Sequence, residues 1–393
     1  MAQRPGVQLA AFGWVCMTSA TPVKLLQNVY GDAPVILLLI LLVLLSSPLA
    51  AAESVSRIAF GSCVDQSKPQ PVWQGVLAGK PDLLVLLGDN VYADTASRVQ
   101  LQAAYDQLAA NPGFSRVRKA MPIEAIWDDH DYGENDGGAD FPGREVSQQV
   151  FLDFFHEPQD SVRRATEGIY VARELGPPDQ RIQLILLDTR SFKSPWTRSL
   201  NPLKRYRPDA DPALTMLGEA QWAWLESELR KPAKLRLIAS GIQVINDEHG
   251  YETWGHFPAE RQRLFDLIRR TRANGVLLFS GDRHFAEIAE LDAGIGYPLL
   301  EMTASGMTHS WEDGPSAPHS HQLAAYGGIN FGLLTVDWTA SDPLVSLGIH
   351  DVTGQQMTSV VRRLSQLAVP DQASEILLES SFQQIFVRRD AAG

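Results

Sequence analysis

Leu83-Leu84-Val85-Leu86-Leu87-Gly88-Asp89-Asn90-Val91-Tyr92 is a run of five apolar residues closed by a glycine and followed by a carboxylate, an amide and a phenol. An apolar run this short, bounded by a turn residue, has the length of a strand buried on both faces. Three other segments repeat the pattern. Arg57-Ile58-Ala59-Phe60 runs into Gly61-Ser62-Cys63, and Ile123-Glu124-Ala125-Ile126-Trp127 into Asp128-Asp129-His130-Asp131. Val276-Leu277-Leu278-Phe279-Ser280 runs into Gly281-Asp282-Arg283-His284. Open α/β sheets hold their ligands in the crevice beyond the carboxyl ends of the strands. Four such ends bearing Asp, His, Cys and Tyr are expected to converge on one site for polyvalent metal.

Outward from these segments, helical and strand patterns alternate after Ser56, as in an α/β domain. Helices are expected over Val72 to Gly79, Ala96 to Ala110 (closed by Asn111-Pro112-Gly113), Glu145 to Phe155, Glu219 to Arg230 and Pro258 to Arg272. Arg181 to Leu187 reads as a strand leading into Asp188-Thr189-Arg190, and Leu235 to Ile245 as one or two strands. From Phe285 onward the pattern is strand-rich. Two long irregular stretches interrupt the order: Phe192 to Pro212, basic and studded with proline, and Ser305 to Gly328, rich in Gly, Ser, Pro and His. Loops of that length in a compact domain are functional or disordered. No internal repeat and no domain boundary is visible, so residues 53–393 read as one domain with a helical tail from about 369.

The chain has 393 residues and a net charge of −12, which disfavours a nucleic-acid partner because a polyanion is repelled. Ala33 to Ala52 carries no charge, and Val35 to Leu45 is an unbroken run of Val, Ile and Leu before Ser46-Ser47-Pro48 and the small residues Ala50-Ala51-Ala52. Residues 1–52 therefore read as a secretory signal cleaved near Ala52, with an uncleaved amino-terminal anchor as the alternative. Both place the bulk of the chain outside the cytoplasm, periplasmic or extracellular, and only the second attaches it to a membrane. Of the two cysteines, Cys16 lies in the leader, so the mature chain keeps the single thiol Cys63 and forms no internal disulfide.

A carboxylate shared between two cations holds them about 3.5–4 Å apart for displacement at phosphorus. Asp89 is the natural bridge, because Gly88 allows close backbone approach and the strand before it is wholly apolar. Tyr92 reaches the same place after a tight turn, and a phenolate beside the Cys63 thiolate suits ferric iron. Zinc also accepts Cys63, Asp89 and His284. Asp282, Asp129 and Asn135 offer hard oxygens suited to calcium, magnesium or manganese. Taken singly, each has an ordinary explanation: a packed Tyr92, a turn residue Asn135, a hydrogen-bonded His284. Jointly they favour a dinuclear site.

In their order and wording these motifs resemble the PhoD-like alkaline phosphatases, a branch of the calcineurin-like metallophosphoesterases. The resemblance runs from about Arg57 to His350 and includes Asp247-Glu248-His249-Gly250-Tyr251-Glu252-Thr253-Trp254-Gly255. It implies a four-layer α/β/β/α sandwich with two central mixed sheets. It also implies an iron site using Cys63, Asp89, Tyr92 and His284, and a second site, calcium, using Asp89, Asn135 and Asp282. Asp131 stands where many members have Glu, Glu134 precedes Asn135 where others carry a second Asn, and Gln3-Arg4 stands in place of twin arginine. The short spacing between the leader and the first strand leaves no room for the amino-terminal β-domain of larger relatives.

The expected activity is hydrolysis of a small phosphate ester by metal-bound hydroxide. His130 is the expected acid for the leaving group, oriented by Asp129 or Asp131, and Arg190 and Arg283 are expected to clamp phosphate, with His249 at the pocket rim. A phosphodiesterase of phospholipase D or teichoic-acid type is the alternative within enzymes. A non-catalytic exported protein that binds metal or phosphate is the alternative outside them.

Overall fold

The computed structural model describes residues 53–311 and 318–370. Within them the apolar runs become strands of two mixed sheets. In the first sheet, β1 (Arg57–Gly61), β2 (Leu83–Leu87) and β3 (Ile123–Ile126) run parallel, with Phe60 opposite Val85 and Leu87 opposite Ile126. Three antiparallel strands complete it beyond β1: β11 (Asn330–Asp337), β12 (Leu344–Asp351) and β13 (Gln356–Arg363). In the second sheet, β5 (Ile182–Leu186), β6 (Leu235–Ser240), β7 (Val276–Ser280) and β9 (Leu299–Ala304) run parallel. The antiparallel strand β4 (Val171–Leu175) closes one side of it, and β8 (Ala286–Leu291) with β10 (Gln322–Tyr326) the other.

The sheets pack face to face. Phe60 of β1 stacks on Phe279 of β7 with ring centroids 3.8 Å apart, and Gly332 of β11 leaves room for Met302 of β9. Helices cover the outer faces. On the first sheet, Trp73 of α1 (Val72–Ala78) meets Phe114 of α3 (Pro112–Ala120), beside α2 (Arg98–Ala110). On the second, Gln183 of β5 donates to the main chain and side chain of Glu228 in α6 (Gly218–Leu229). Trp222 of α6 donates to Glu260 of α7 (Pro258–Thr271) at 2.8 Å. Two helices remain: the single turn α4 (Asp129–Tyr132) and α5 (Arg144–Phe154). The result is the expected four-layer order, with a strand such as β2 buried along its whole length between layers.

Two local expectations change, and the strand count over Leu235 to Ile245 is settled. Asn111-Pro112-Gly113 ends one helix but also begins another, because the Asn111 side chain accepts from the amides of Gly113 and Phe114 and proline suits the first helical turn. Leu235 to Ile245 holds one strand; its second half is a loop whose Val244 and Ile245 amides donate to the buried Glu301 carboxylate at 2.8 and 2.6 Å. Residues 322–326, expected inside a loop, form the edge strand β10, which is half-exposed and so weakly patterned. The leader and the helical tail beyond residue 370 lie outside the described residues. No helix among the described residues is long and apolar enough to cross a membrane.

Candidate metal centre

The carboxyl ends of β1, β2, β3, β5, β7 and β9 meet along one rim. The Cys63 and Val64 amides bond to the Gly88 and Asp89 carbonyls, and the Met307 amide beyond β9 bonds to the Ser62 carbonyl. Gly88 has φ 98°, and a Cβ there would lie 2.5 Å from Asp128 Cβ, so only glycine lets the loops after β2 and β3 touch. Residues around the site are bent: Cys63 (φ 63°), Asp89 (50°), Asp94 (45°), Asp136 (59°), Asp282 (67°) and His284 (54°) all have left-handed backbones. Elsewhere among the described residues only Lys80, His156 and Arg272 do so without being glycine. Each such residue costs on the order of 1 kcal/mol. That strain is concentrated where side chains are aimed inward.

Four expected ligands come together. Cys63 Sγ lies 3.5 Å from Asp89 Oδ2, and Tyr92 Oη lies 3.3 Å from the same oxygen and 3.1 Å from His284 Nε2. Donor atoms of Cys63, Asp89 and His284 fall within 4.8 Å of one another, and so do those of Asp89, Asp129 and His130. Asp89 is the residue common to both groups. A third group, Asp129, Asp136 and Glu252, meets the same criterion. There, however, Asp136 is paired with Arg205 at 2.6 Å and Glu252 with Arg190 at 2.7 Å, so two of its carboxylates are already neutralised.

Asn135 is exposed, and no hydrogen bond ties its side chain to Asp89 or Asp282. Its neighbour Asp136 turns inward instead, its amide donating to Asp129 Oδ2 at 2.7 Å. Asp282 is enclosed, and its Oδ2 has no hydrogen-bond partner although Arg283 Nη1 stands 3.6 Å away.

His130 does not take its orientation from Asp131. Both oxygens of Asp94, a half-exposed carboxylate, lie 2.9 Å from His130 Nδ1. Asp131 is wholly buried and clamps the loop after β2, accepting from the amides of Asp89 and Asn90 and from the Asn90 side chain. It also accepts from the Asp128 amide at the start of α4. Asp129 accepts from the His130 amide at 3.0 Å, so it braces the main chain and not the ring.

Arg190 is not a phosphate clamp. It is 0% exposed. Its Nε and Nη2 hold Asp128 Oδ1 at 2.7 and 2.6 Å. Nη1 and Nη2 also grip the two oxygens of Glu252 at 2.7 and 2.9 Å. With Nη1 also donating to the Gly137 carbonyl at 3.3 Å, all five N–H donors are used and none is left for substrate. Arg283 differs: its guanidinium carbon sits 4.4 Å above the Tyr251 ring centroid, and its enclosed Nε is without a partner. His249 is spoken for, its Nε2 3.1 Å from Gln243 Oε1 and its Nδ1 accepting from the Tyr251 amide.

Sequence reading missed three residues. Glu252 lay inside a quoted motif without a role, and Asp94 only two residues beyond Tyr92. His309, one of several loop histidines, places its Nε2 3.3 Å from Tyr92 Oη and 3.2 Å from His284 Nε2. A signal existed for it: Thr308-His309 also follows a strand end.

The electrostatics fit a cation. Burial pushes the Asp89 carboxyl well up, and Asp129 and Cys63 push the same way. Burial likewise opposes charge on Asp129, but Arg190 and His130 hold it down at about 2. Burial drives the Cys63 thiol up to about 11 against its bonds to Ser305 and Ser62, and the Asp282 carboxyl up to about 7. It drives the His284 imidazole down to about 3, with His309 and Arg283 adding to the effect. Burial thus opposes charge on the thiol, the carboxyls and the His284 imidazole, beside a carboxylate oxygen of Asp282 that has no hydrogen-bond partner. A polyvalent cation would displace the acidic protons and accept the lone pairs.

A family model described as PhoD-like phosphatase matches residues 58–325, well over half of the chain. Alkaline phosphatase D of Bacillus subtilis (strain 168) is 22% identical over 273 residues, 58% of this chain and 45% of that protein. The chain thus spans less than half the length of that curated relative. Among solved structures, one titled as the structure of PhoD superposes with a TM-score of 0.63 at 17% identity, covering 80% of this chain and 69% of its own. A purple acid phosphatase from yellow lupin (Lupinus luteus) seeds gives 0.54 at 12% identity, covering 79% and 54%. Those two likenesses carry the fold alone. With the family model spanning all four strand-end motifs and well over half of the chain, this chain belongs to the PhoD-like phosphatase family.

Proposed function

We propose that this chain is an exported hydrolase of small phosphate esters working with two cations that share Asp89. The observation that carries the reading is the position of Asp89 in both donor groups, beside Cys63 and His284 on one side and beside Asp129 on the other, where His130 keeps its proton and does not ligate. Thiolate, phenolate and imidazole beside Asp89 suit ferric iron; the oxygen-rich side, with Asp129 and the orphaned Asp282, suits calcium. Such cations, when bound, polarise the phosphoryl oxygens and lower the pKa of water. Export rests on the reading of residues 1–52.

The chain's own residues supply the rest. Arg283, held over Tyr251 and tied by the 3.6 Å ion pair to Asp282, is the arginine left to meet a phosphoryl oxygen. Burial opposes a proton on His130, and the Asp94 carboxylate 2.9 Å from its Nδ1 favours one. With Nδ1–H donated to Asp94, the proton on Nε2 is free to pass to the leaving oxygen as the P–O bond breaks.

His130→Ala is expected to slow esters of poor leaving groups by about 10²–10³-fold, and activated aryl esters by much less, since general acid catalysis serves the departing alkoxide. Steady-state rates across a leaving-group series check this. Equal slowing throughout the series removes the acid role.

A phosphodiesterase is the second reading. It is favoured by the basic loop at Lys204 and Arg205, which packs on Gly250 beside Tyr251 and exposes Leu200 and Leu203 almost fully. Turnover of a panel of monoesters and diesters by protein loaded with iron and calcium, with metal content measured alongside, separates the two. No turnover of any ester at full metal load leaves a binding protein and overturns both.

A further inference from the structure

We infer that His309, through Nε2, is a fifth protein donor to the cation held by Cys63, Asp89, Tyr92 and His284, and that Thr308 is the residue that positions it. The inference rests on the metal reading of that site.

Tyr92 Oη, His284 Nε2 and His309 Nε2 form a triangle with sides of 3.1, 3.3 and 3.2 Å. The two rings meet edge to face, 4.2 Å between centroids at 66°, so both nitrogens address one point without stacking. The phenol has one proton and can satisfy only one of the two imidazoles. Asp89 Oδ2, 3.3 Å from the same phenol oxygen, competes for that proton, so the cluster holds more lone pairs than hydrogens and an electron-pair acceptor would engage them.

Proton accounting at Thr308 decides which nitrogen of His309 carries hydrogen. The Thr308 hydroxyl accepts from the Asp65 amide at 2.8 Å and donates its single proton to the Cys63 carbonyl at 2.8 Å. Its oxygen is also 3.0 Å from His309 Nδ1. With the hydroxyl proton already used, Nδ1 must be the donor, which leaves Nε2 bare and facing Tyr92 and His284. Metal-binding histidines are fixed in this way, by a bond from the nitrogen that does not ligate. The same hydroxyl grips the backbone of Cys63, so one side chain ties two donors together. Ser305, four residues before His309, reinforces the arrangement: its hydroxyl lies 3.2 Å from Cys63 Sγ and accepts from the His284 amide. The turn after β9 is thus a wall of the site.

The test uses full-length protein stripped of metal and titrated with ferric iron and with zinc against a competing chelator. Bound metal and, for iron, the phenolate-to-metal absorption that Tyr92→Phe abolishes are both read. His309→Ala is expected to weaken metal binding by about 10–100-fold and shift the absorption, and Thr308→Val to weaken it by about 10-fold, with Thr308→Ser restoring the wild-type value. Wild-type affinity and an unshifted band in His309→Ala, with His284→Ala losing the metal, would mean that His309 only braces Tyr92, and the inference falls alone. A wild-type protein that takes up neither ion overturns the metal reading and this inference with it.

Discussion

Replacing Asp89 by asparagine is expected to lower kcat/KM for any ester the protein turns over by roughly three orders of magnitude, about 4 kcal/mol of transition-state stabilisation. The substitution is close to isosteric, and asparagine tolerates the left-handed backbone at this position (φ 50°), so the fold is kept. What is lost is the charge shared by both donor groups. Elemental analysis should find both metal positions depleted. The same change removes a buried carboxyl crowded by Asp129 and Cys63, so metal-free Asp89→Asn should unfold at a higher temperature than metal-free wild type, by a gain of about 1 kcal/mol. A variant that keeps its metal and its turnover would show that Asp89 does not bridge.

Arg190→Met should act on stability instead. Removing the guanidinium strands two buried carboxylates, Asp128 and Glu252, and breaking a buried ion pair from one side costs about 3–5 kcal/mol. Urea unfolding of the metal-loaded protein would show the drop as a lower midpoint. Neutralising the partners as well, in Arg190→Met with Asp128→Asn and Glu252→Gln, should recover much of the loss, because no unpaired charge remains. A wild-type midpoint with a raised KM would return Arg190 to a substrate-clamping role.

The contrast between Arg190 and Arg283 shows how far local sequence reaches. Both follow a buried strand and both look like phosphate ligands. Whether an arginine is free depends on which carboxylates other segments bring to it. Asp128 and Glu252 are each 62 residues from Arg190 in sequence, one on either side. His130 repeats the lesson at shorter range: Asp131, its neighbour, is turned into the core, and Asp94 from an irregular stretch takes the ring.

His309 and Asn135 mark the same limit from opposite sides. Asn135 had the better motif and points to solvent, whereas His309 sat among several unremarkable loop histidines and reaches Tyr92 across 217 positions of sequence. Helix and strand bounds were easier, because periodicity and caps are short-range signals. Even so, Asn111 could be read as a stop and not as a start until its side chain was seen to accept from the helix that follows.

From the sequence alone came the buried strands, the glycines that end them and the inventory of donors gathered at those ends, since burial and turn chemistry are written within a few residues. Only the tertiary structure decided which donors face one another, which arginine is locked away and which histidine joins the cluster. Those outcomes depend on two sheets closing over each other, and a side chain's direction at a left-handed residue is set by contacts hundreds of residues away.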